Sequence, residues 1–276
     1  MTNLMKIGII GGNGWLGSAI GLSMLASGFV SPGRLALSCR SGRAPAFASW
    51  PDVRVTRDNA ELAAHAELII LSVRPEQFAA VDIDASGKLL VSLMAGIDLE
   101  TLGRRTGARR IVRAMPNAAA EIGLSYTPWF AAPDVDGKDK ALVADLFATC
   151  GLADEMDSEA GIDIMTGLSG SGTAFPALLA SAMLSYARAG GIDPAIARRA
   201  VLTTLEGAAR MMARDQSDPG EVVKAFADYR GTTAAGLEAM MAAGFEKAVI
   251  DGLEAAEMKA RAMAASFRAG AERSSP

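Results

Sequence analysis

Only two cysteines, Cys39 and Cys150, and a single histidine, His65, occur in 276 residues. So few thiols build no disulfide framework, and with one imidazole they make no Cys/His zinc site. No run of about 18 apolar residues is present, so no membrane span is expected. The first apolar run is short and broken by glycines, which does not fit a signal peptide, and a reducing, cytoplasmic setting is expected. The formal net charge is −4, which gives no general attraction to nucleic acid. The one local basic cluster, Arg104, Arg105, Arg109, Arg110 and Arg113, reads as a solvated helix end. Internal repeats and low-complexity tracts are lacking too. What remains is a chain that is 50% hydrophobic and long enough for one or two domains with ample cores.

The most informative stretch is Lys6 to Gly17. An apolar run, Ile7 to Ile10, stops at Gly11. Gly12-Asn13-Gly14-Trp15-Leu16-Gly17 then spells G-x-G-x-x-G, and Ser18 to Ala26 continues with helical spacing. Strand, glycine turn and helix form the context in which this pattern binds a dinucleotide. One glycine turns the chain, a second lets a pyrophosphate approach the backbone, and the third brings helix and strand close. The helix start then offers unpaired N–H groups to phosphate. A strand-turn-helix without a ligand is the bland alternative. At the end of the next strand, Arg34 to Cys39, the acidic residue that would hold a ribose 2′-OH is missing. Arg40, Ser41 and Arg43 stand there instead and suit a 2′-phosphate, which favours NADPH over NADH. An ordinary surface loop is the competing reading.

Further strands are predicted at Val53–Val55, Leu68–Val73, Leu89–Leu93, Arg110–Arg113 and Tyr126–Ala131. Helices are predicted at Asp58–Ala66, Leu99–Thr106 and Lys138–Cys150. This is a doubly wound α/β Rossmann pattern whose strand ends carry Ser72, Val73 and Arg74, then Met94, Ala95 and Gly96, then Met115-Pro116-Asn117. Ligands in such sheets bind at those ends. Near residue 155 the texture changes to Ala, Met, Leu, Glu and Arg in helical spacing, with helices predicted at 162–168, 173–189, 194–213, 219–227, 231–241 and 246–269. The expected division is therefore a dinucleotide-binding domain, 1–155, and an all-α domain, 156–276, ending in a polar tail over 266–276. Its apolar helices suit an intersubunit core. Within it, Leu168-Ser169-Gly170-Ser171-Gly172 and Gly231-Thr232-Thr233 place small residues and hydroxyls at helix starts, where free N–H groups receive a carboxylate. A plain helix cap at Thr232 or Thr233, and a kink or close crossing at the serine-glycine run, are the structural alternatives.

From Lys6 to about Met263 the chain resembles the pyrroline-5-carboxylate reductases. The likeness rests on six segments in order: the glycine turn, Leu71-Ser72-Val73-Arg74-Pro75, Met94-Ala95-Gly96-Ile97, Arg113-Ala114-Met115-Pro116-Asn117, Leu168 to Gly172, and Gly231-Thr232-Thr233. It implies a Rossmann domain followed by a helical dimerisation domain. It also implies a homodimer that builds into larger rings in some members, and NAD(P)H-dependent reduction of a cyclic imine carboxylate to L-proline. By the same resemblance Gly12, Asn13, Gly14, Trp15, Leu16 and Gly17 hold the pyrophosphate. Arg40 and Ser41 meet the adenosine ribose and its phosphate, and Asn59 lies near the adenine. Ser72, Val73, Arg74, Met94, Ala95 and Gly96, with Asn117, line the nicotinamide side. Ser171 and Gly172 pack near the substrate, and Gly231, Thr232 and Thr233 bind its carboxylate. Ser171, Thr232 and Thr233 are thus the candidates closest to catalysis.

Three departures from the family pattern stand out. The glycine turn is one residue longer, Thr173 replaces a proline, and Asp228-Tyr229-Arg230 replaces serine-proline-glycine before Gly231. Arg230 could grip a carboxylate and Tyr229 could donate a proton or stack, or Asp228 and Arg230 could pair with each other. A paralogue acting on another cyclic imine and a non-catalytic NADP-binding protein are the alternatives. A β-hydroxyacid dehydrogenase is disfavoured because residues 161–200 contain no lysine. A serine hydrolase is disfavoured because the serine-glycine run does not complete G-x-S-x-G. His65 is expected at the surface, remote from these motifs.

Overall fold

The computed structural model describes residues 5–216 and 218–272. It contains an eight-stranded sheet and ten α-helices among those residues. The strands are β1 (Ile7–Ile10), β2 (Leu35–Ser38), β3 (Arg54–Thr56), β4 (Leu68–Leu71), β5 (Leu89–Ser92), β6 (Arg110–Ala114), β7 (Ser125–Ala131) and β8 (Gly151–Glu155). Their spatial order is 3-2-1-4-5-6-7-8. The first six in sequence run parallel, β7 runs antiparallel to β6, and β8 runs parallel to β7. The order reverses between β1 and β4, the crevice where such sheets receive a ligand. β1, β2, β4 and β5 are buried along their whole length, as strands covered on both faces must be.

The helices are α1 (Trp15–Ala26), α2 (Asn59–His65), α3 (Leu99–Thr106), α4 (Gly137–Ala148), α5 (Glu159–Met165), α6 (Ala174–Ala189), α7 (Pro194–Asp215), α8 (Pro219–Asp228), α9 (Thr232–Ala242) and α10 (Phe245–Glu272). Aspartates cap five of them. Asp58, Asp98, Asp136, Asp193 and Asp218 each accept first-turn amides with a carboxylate, and Pro194 and Pro219 occupy the first helical position, where no donor is lost. α1, α6 and α9 begin at Gly14, Thr173 and Gly231 with no side-chain cap. Between α5 and α6 the chain makes a single π-helical turn, Thr166–Gly170.

Most predicted elements form within a residue or two. β8 was not anticipated, since Gly151-Leu152-Ala153-Asp154-Glu155 has little intrinsic strand preference. It forms because β7 offers a free edge to pair with. α10 extends beyond the expected 246–269 and takes in the start of the predicted tail, whose last four residues lie outside the described ones.

The described residues fold as two compact units: 5–171 together with 255–272, and Gly172–Glu254. This division does not coincide with the compositional one at 155/156. α5 is tied by side-chain bonds to β6, the π turn is held by Asn117 just beyond that strand, and the end of α10 packs within the first unit. There Gly96, with φ +70°, approaches the α10 backbone so closely that a Cβ would sit 2.5 Å from the Ala260 carbonyl oxygen. Phe267 of α10 stacks on Phe78 with 5.5 Å between ring centroids.

Candidate active site

β1 ends in Gly11, whose φ of +81° only glycine adopts without strain. A Cβ there would meet the Ser72 carbonyl oxygen at 2.5 Å, so the turn lies directly against the end of β4. The turning glycine is therefore Gly11, one position ahead of the G-x-G-x-x-G read from the sequence. The signal that marks it is its place immediately after the strand. The amides of Gly11 and Gly12 both donate to the Ser38 carbonyl, at 2.9 and 3.1 Å. Ser38 Oγ in turn donates to Asn59 Oδ1 at 2.6 Å. The glycine turn, the end of β2 and the start of α2 are thus joined through one residue.

Gly17 brings α1 against this turn, since a Cβ there would stand 2.7 Å from the Gly11 oxygen. Asn13, Gly14 and Trp15 are exposed, and α1 has neither a side-chain cap nor an acidic residue in its first turn. Its first turn therefore leaves backbone amides without a side-chain acceptor, which a diphosphate can use. Leu16 is half-buried behind them.

Beyond β2, Arg40, Ser41 and Arg43 are exposed. Ser41 Oγ donates to the Arg43 carbonyl at 3.0 Å. Arg57, just after β3, donates through Nη2 to the Ser41 carbonyl at 3.0 Å and lies over Gly42. Sequence reasoning missed Arg57 because a different strand carries it. Three guanidinium groups therefore border the place where an adenosine ribose would end, and none of the acids that read a 2′-OH is there.

On the other side of the crevice, Ser72 and Val73 are half-buried and Arg74 is exposed. Arg74 heads a 3₁₀ turn, Pro75–Ala80. Met94 and Gly96 are buried and Ala95 is half-buried. Asn117 is buried with its side chain already committed: Oδ1 accepts the Ala119 amide at 3.0 Å, and Nδ2 donates to the Ser169 carbonyl at 3.2 Å. Its role is thereby tied to the serine-glycine turn. Ser171 is half-buried at the end of that turn, with its amide on the Thr166 carbonyl at 2.9 Å.

The remaining candidates belong to the second unit. Gly172 is half-buried ahead of α6. Gly231 is the N-cap of α9 and no side chain caps this helix, so Thr232 and Thr233 do not serve as its side-chain cap. Both hydroxyls are exposed in the first turn beside open amides. Arg230 has φ +55°, an uncommon conformation for a residue with a side chain. Tyr229 is 84% exposed. Asp228 pairs with Lys224 Nζ at 2.7 Å and not with Arg230. Arg230 makes no ion pair among the described residues.

One sequence expectation needs correction. Arg113 does not lie at a solvated helix end. It is only 3% exposed, with Nη1 on Glu159 Oε1 at 2.9 Å and Nη2 on Asp163 Oδ1 at 3.0 Å. The other arginines of that cluster do reach solvent, and Arg109 pairs with Asp134 and Arg110 with Asp139. His65 is half-buried, and burial, followed by the charges of Lys6, Arg54 and Arg34, holds its pKa below the ordinary value.

Residues 6–96 match the family model described as NADP oxidoreductase, coenzyme F420-dependent, and residues 159–263 match pyrroline-5-carboxylate reductase dimerisation. The chain is similar to a pyrroline-5-carboxylate reductase of Synechocystis sp., 30% identical over 257 residues that span 91% of this chain and 96% of that protein. It is 32% identical over 265 residues to pyrroline-5-carboxylate reductase 3 of Danio rerio, spanning 93% and 91% of the two chains. Among solved structures it resembles Plasmodium falciparum pyrroline carboxylate reductase with NADP bound, with a TM-score of 0.86, 25% identity, and coverage of 96% of this chain and 100% of that one.

Proposed function

The chain belongs to the pyrroline-5-carboxylate reductase family, and we propose that it is an NADP-dependent oxidoreductase that reduces the C=N bond of 1-pyrroline-5-carboxylate to give L-proline. The observation that carries this reading is the pairing of two uncapped helix starts in one chain. One follows a dinucleotide turn on a doubly wound sheet, and the other opens on Gly231-Thr232-Thr233. The bordering arginines favour NADPH, with NADH as the second cofactor.

NADPH, when bound, supplies the hydride. Gly12, Asn13, Gly14, Trp15, Leu16 and Gly17 hold its diphosphate. Arg40 and Ser41, helped by Arg57, hold the ribose phosphate, and Asn59 orients the adenine side. Ser72, Val73, Arg74, Met94, Ala95 and Gly96 orient the reacting ring, and Asn117 supports it through the serine-glycine turn. Thr232, Thr233 and Gly231 receive the substrate carboxylate, and Ser171 and Gly172 shape its pocket. Tyr229 and Arg230 border the carboxylate. A protonated pyrroline is already electrophilic, so position and charge matter more than a strong general acid. That fits a chain whose one histidine lies at the end of α2.

The functional division we propose is a cofactor domain over 1–155 and a substrate and dimerisation domain over 156–276. The working form is a homodimer with a small-molecule imine as partner, able to build larger oligomers. Among the described residues no helix is long and apolar enough to cross a membrane. We place the enzyme in the cytoplasm, with no nucleic-acid partner.

A second reading is favoured by one observation. Arg230 keeps the left-handed backbone that glycine occupies more cheaply, so a guanidinium is retained beside Gly231 at a cost. A related cyclic imine with a different acidic substituent would explain it. The test is NADPH oxidation, followed by absorbance, with pyrroline-5-carboxylate and with NADH in parallel. Saturable consumption that yields proline supports the first reading. Bound NADPH without turnover on this imine, and turnover on another, supports the second.

A further inference from the structure

Arg113 stands at the end of β6, buried, on two carboxylates of one helix face. Glu159 and Asp163 are four residues apart on α5, so a single guanidinium bridges them. Glu159 Oε1 also accepts the amide of Leu99 at 2.8 Å, at the start of α3 and three residues beyond Gly96. α5 runs directly into the π turn Thr166–Gly170, which meets the same strand end twice more. Asn117 Nδ2 holds the Ser169 carbonyl, and Gly170 lies so close to Met115 that a Cβ would stand 2.9 Å from its Cγ. Beside Arg113 is a cavity of about 300 Å³ bordered by Asp98, Glu100 and Asp163. Arg113 Nε is buried without a hydrogen-bond partner among the described residues.

As a source of stability this arrangement is poor. Burying a guanidinium against two half-buried carboxylates costs desolvation that apolar side chains of similar volume avoid, and an unpaired Nε adds to the cost. What charge-assisted bonds do provide is direction. We propose that Arg113 is a positioning residue: through Glu159 and Asp163 it sets the place of the Ser169-Gly170-Ser171 turn, and through Glu159 that of the segment following Met94-Ala95-Gly96. One guanidinium thereby fixes both the turn assigned to the imine pocket and the segment that follows the residues assigned to the reacting ring. The proposal rests on the functional reading above, in which Ser171 lines the imine pocket.

The test uses Asp163→Asn and Glu159→Gln, which keep volume and remove charge, with Arg113→Lys as the conservative partner. Arg113→Met is avoided because it strands two half-buried carboxylates beside an apolar side chain and risks misfolding. Asp163→Asn is expected to raise the imine KM about 10-fold or more while NADPH affinity, read by fluorescence, stays within about 2-fold. Combined with Ser171→Ala its effect should be non-additive, since both act through one turn. A merely structural role would instead lower the melting temperature and the active fraction, and leave KM alone. That result, or additive effects, overturns the proposal while the reductase reading stands. Hydrogen exchange gives an arm independent of activity. In Asp163→Asn the amides of residues 166–171 should exchange at least about 10-fold faster, with those of β1 and α1 unchanged. Unchanged exchange over 166–171 overturns the proposal even if the enzyme reduces a different imine. A wild type inert on every imine overturns the functional reading, and exchange then decides the positioning role alone.

Discussion

The two compact units solve the same burial problem in opposite ways. The first encloses its own core: Ile9, Leu37, Ile70, Val91, Val112 and Phe147 are completely shielded. In the second, the buried apolar residues are Ala180, Ala197, Val201 and Ala234, all small, while Leu178, Ile196, Leu202, Phe226, Met240 and Val249 are exposed in the single chain. Helices with apolar residues this far in solvent do not hold together on their own. The difference is that the first unit shields a core of large side chains by itself, whereas the second, on the reading proposed above, has its core completed in the homodimer.

The largest effect should come from breaking that completion. Leu202→Glu with Phe226→Glu should turn the protein monomeric in sedimentation and abolish measurable reduction, while NADPH still quenches tryptophan fluorescence. A variant that still sediments as the wild type would remove the basis of the contrast. Next is damage confined to the first unit. Gly11→Ala puts a methyl at 2.5 Å from the Ser72 oxygen in a left-handed residue. It should cost about 2–4 kcal/mol of stability, read by denaturant titration, and weaken NADPH.

A smaller change sharpens the second unit. Arg230→Gly relieves a left-handed backbone and should stabilise the fold by about 1 kcal/mol, yet raise the imine KM strongly if the guanidinium grips the substrate. Gain of stability with unchanged KM would reduce Arg230 to a shape element. The smallest effect tests how dry the finished core is. Burial pushes the Cys150 thiol up to about 11 from its ordinary 9.0. In the unfolded chain it ionises first, so the unfolded state binds fewer protons between those values and stability should fall as pH rises across that window. At neutral pH a thiol reagent should react with half-buried Cys39 and spare Cys150 until the protein unfolds.

The legible part of this molecule is its periodicity and its punctuation. The apolar runs at Ile7 and Leu68, and the helical spacing beyond residue 155, announced strands and helices because each depends on local chemistry. β8 was not legible, because its strand state is set by β7 across the sheet and not by its own residues. The same holds at the site. Gly12 to Gly17 could be read directly, whereas Arg57 reaches Ser41 from another strand and Arg113 finds its acids some fifty residues away. Contacts made through tertiary folding leave no spacing in the chain. A cluster of arginines looks the same whether its members meet water or, like Arg113, disappear inside.

The shared acceptor at Ser38 has a consequence in time. Its carbonyl carries the glycine turn and its hydroxyl carries Asn59, so neither neighbour loosens without disturbing the other. On the functional reading proposed above, the residues assigned to the diphosphate and to the adenine side therefore share one hydrogen-bonded surface, and that half of the cofactor is expected to be taken up as a unit.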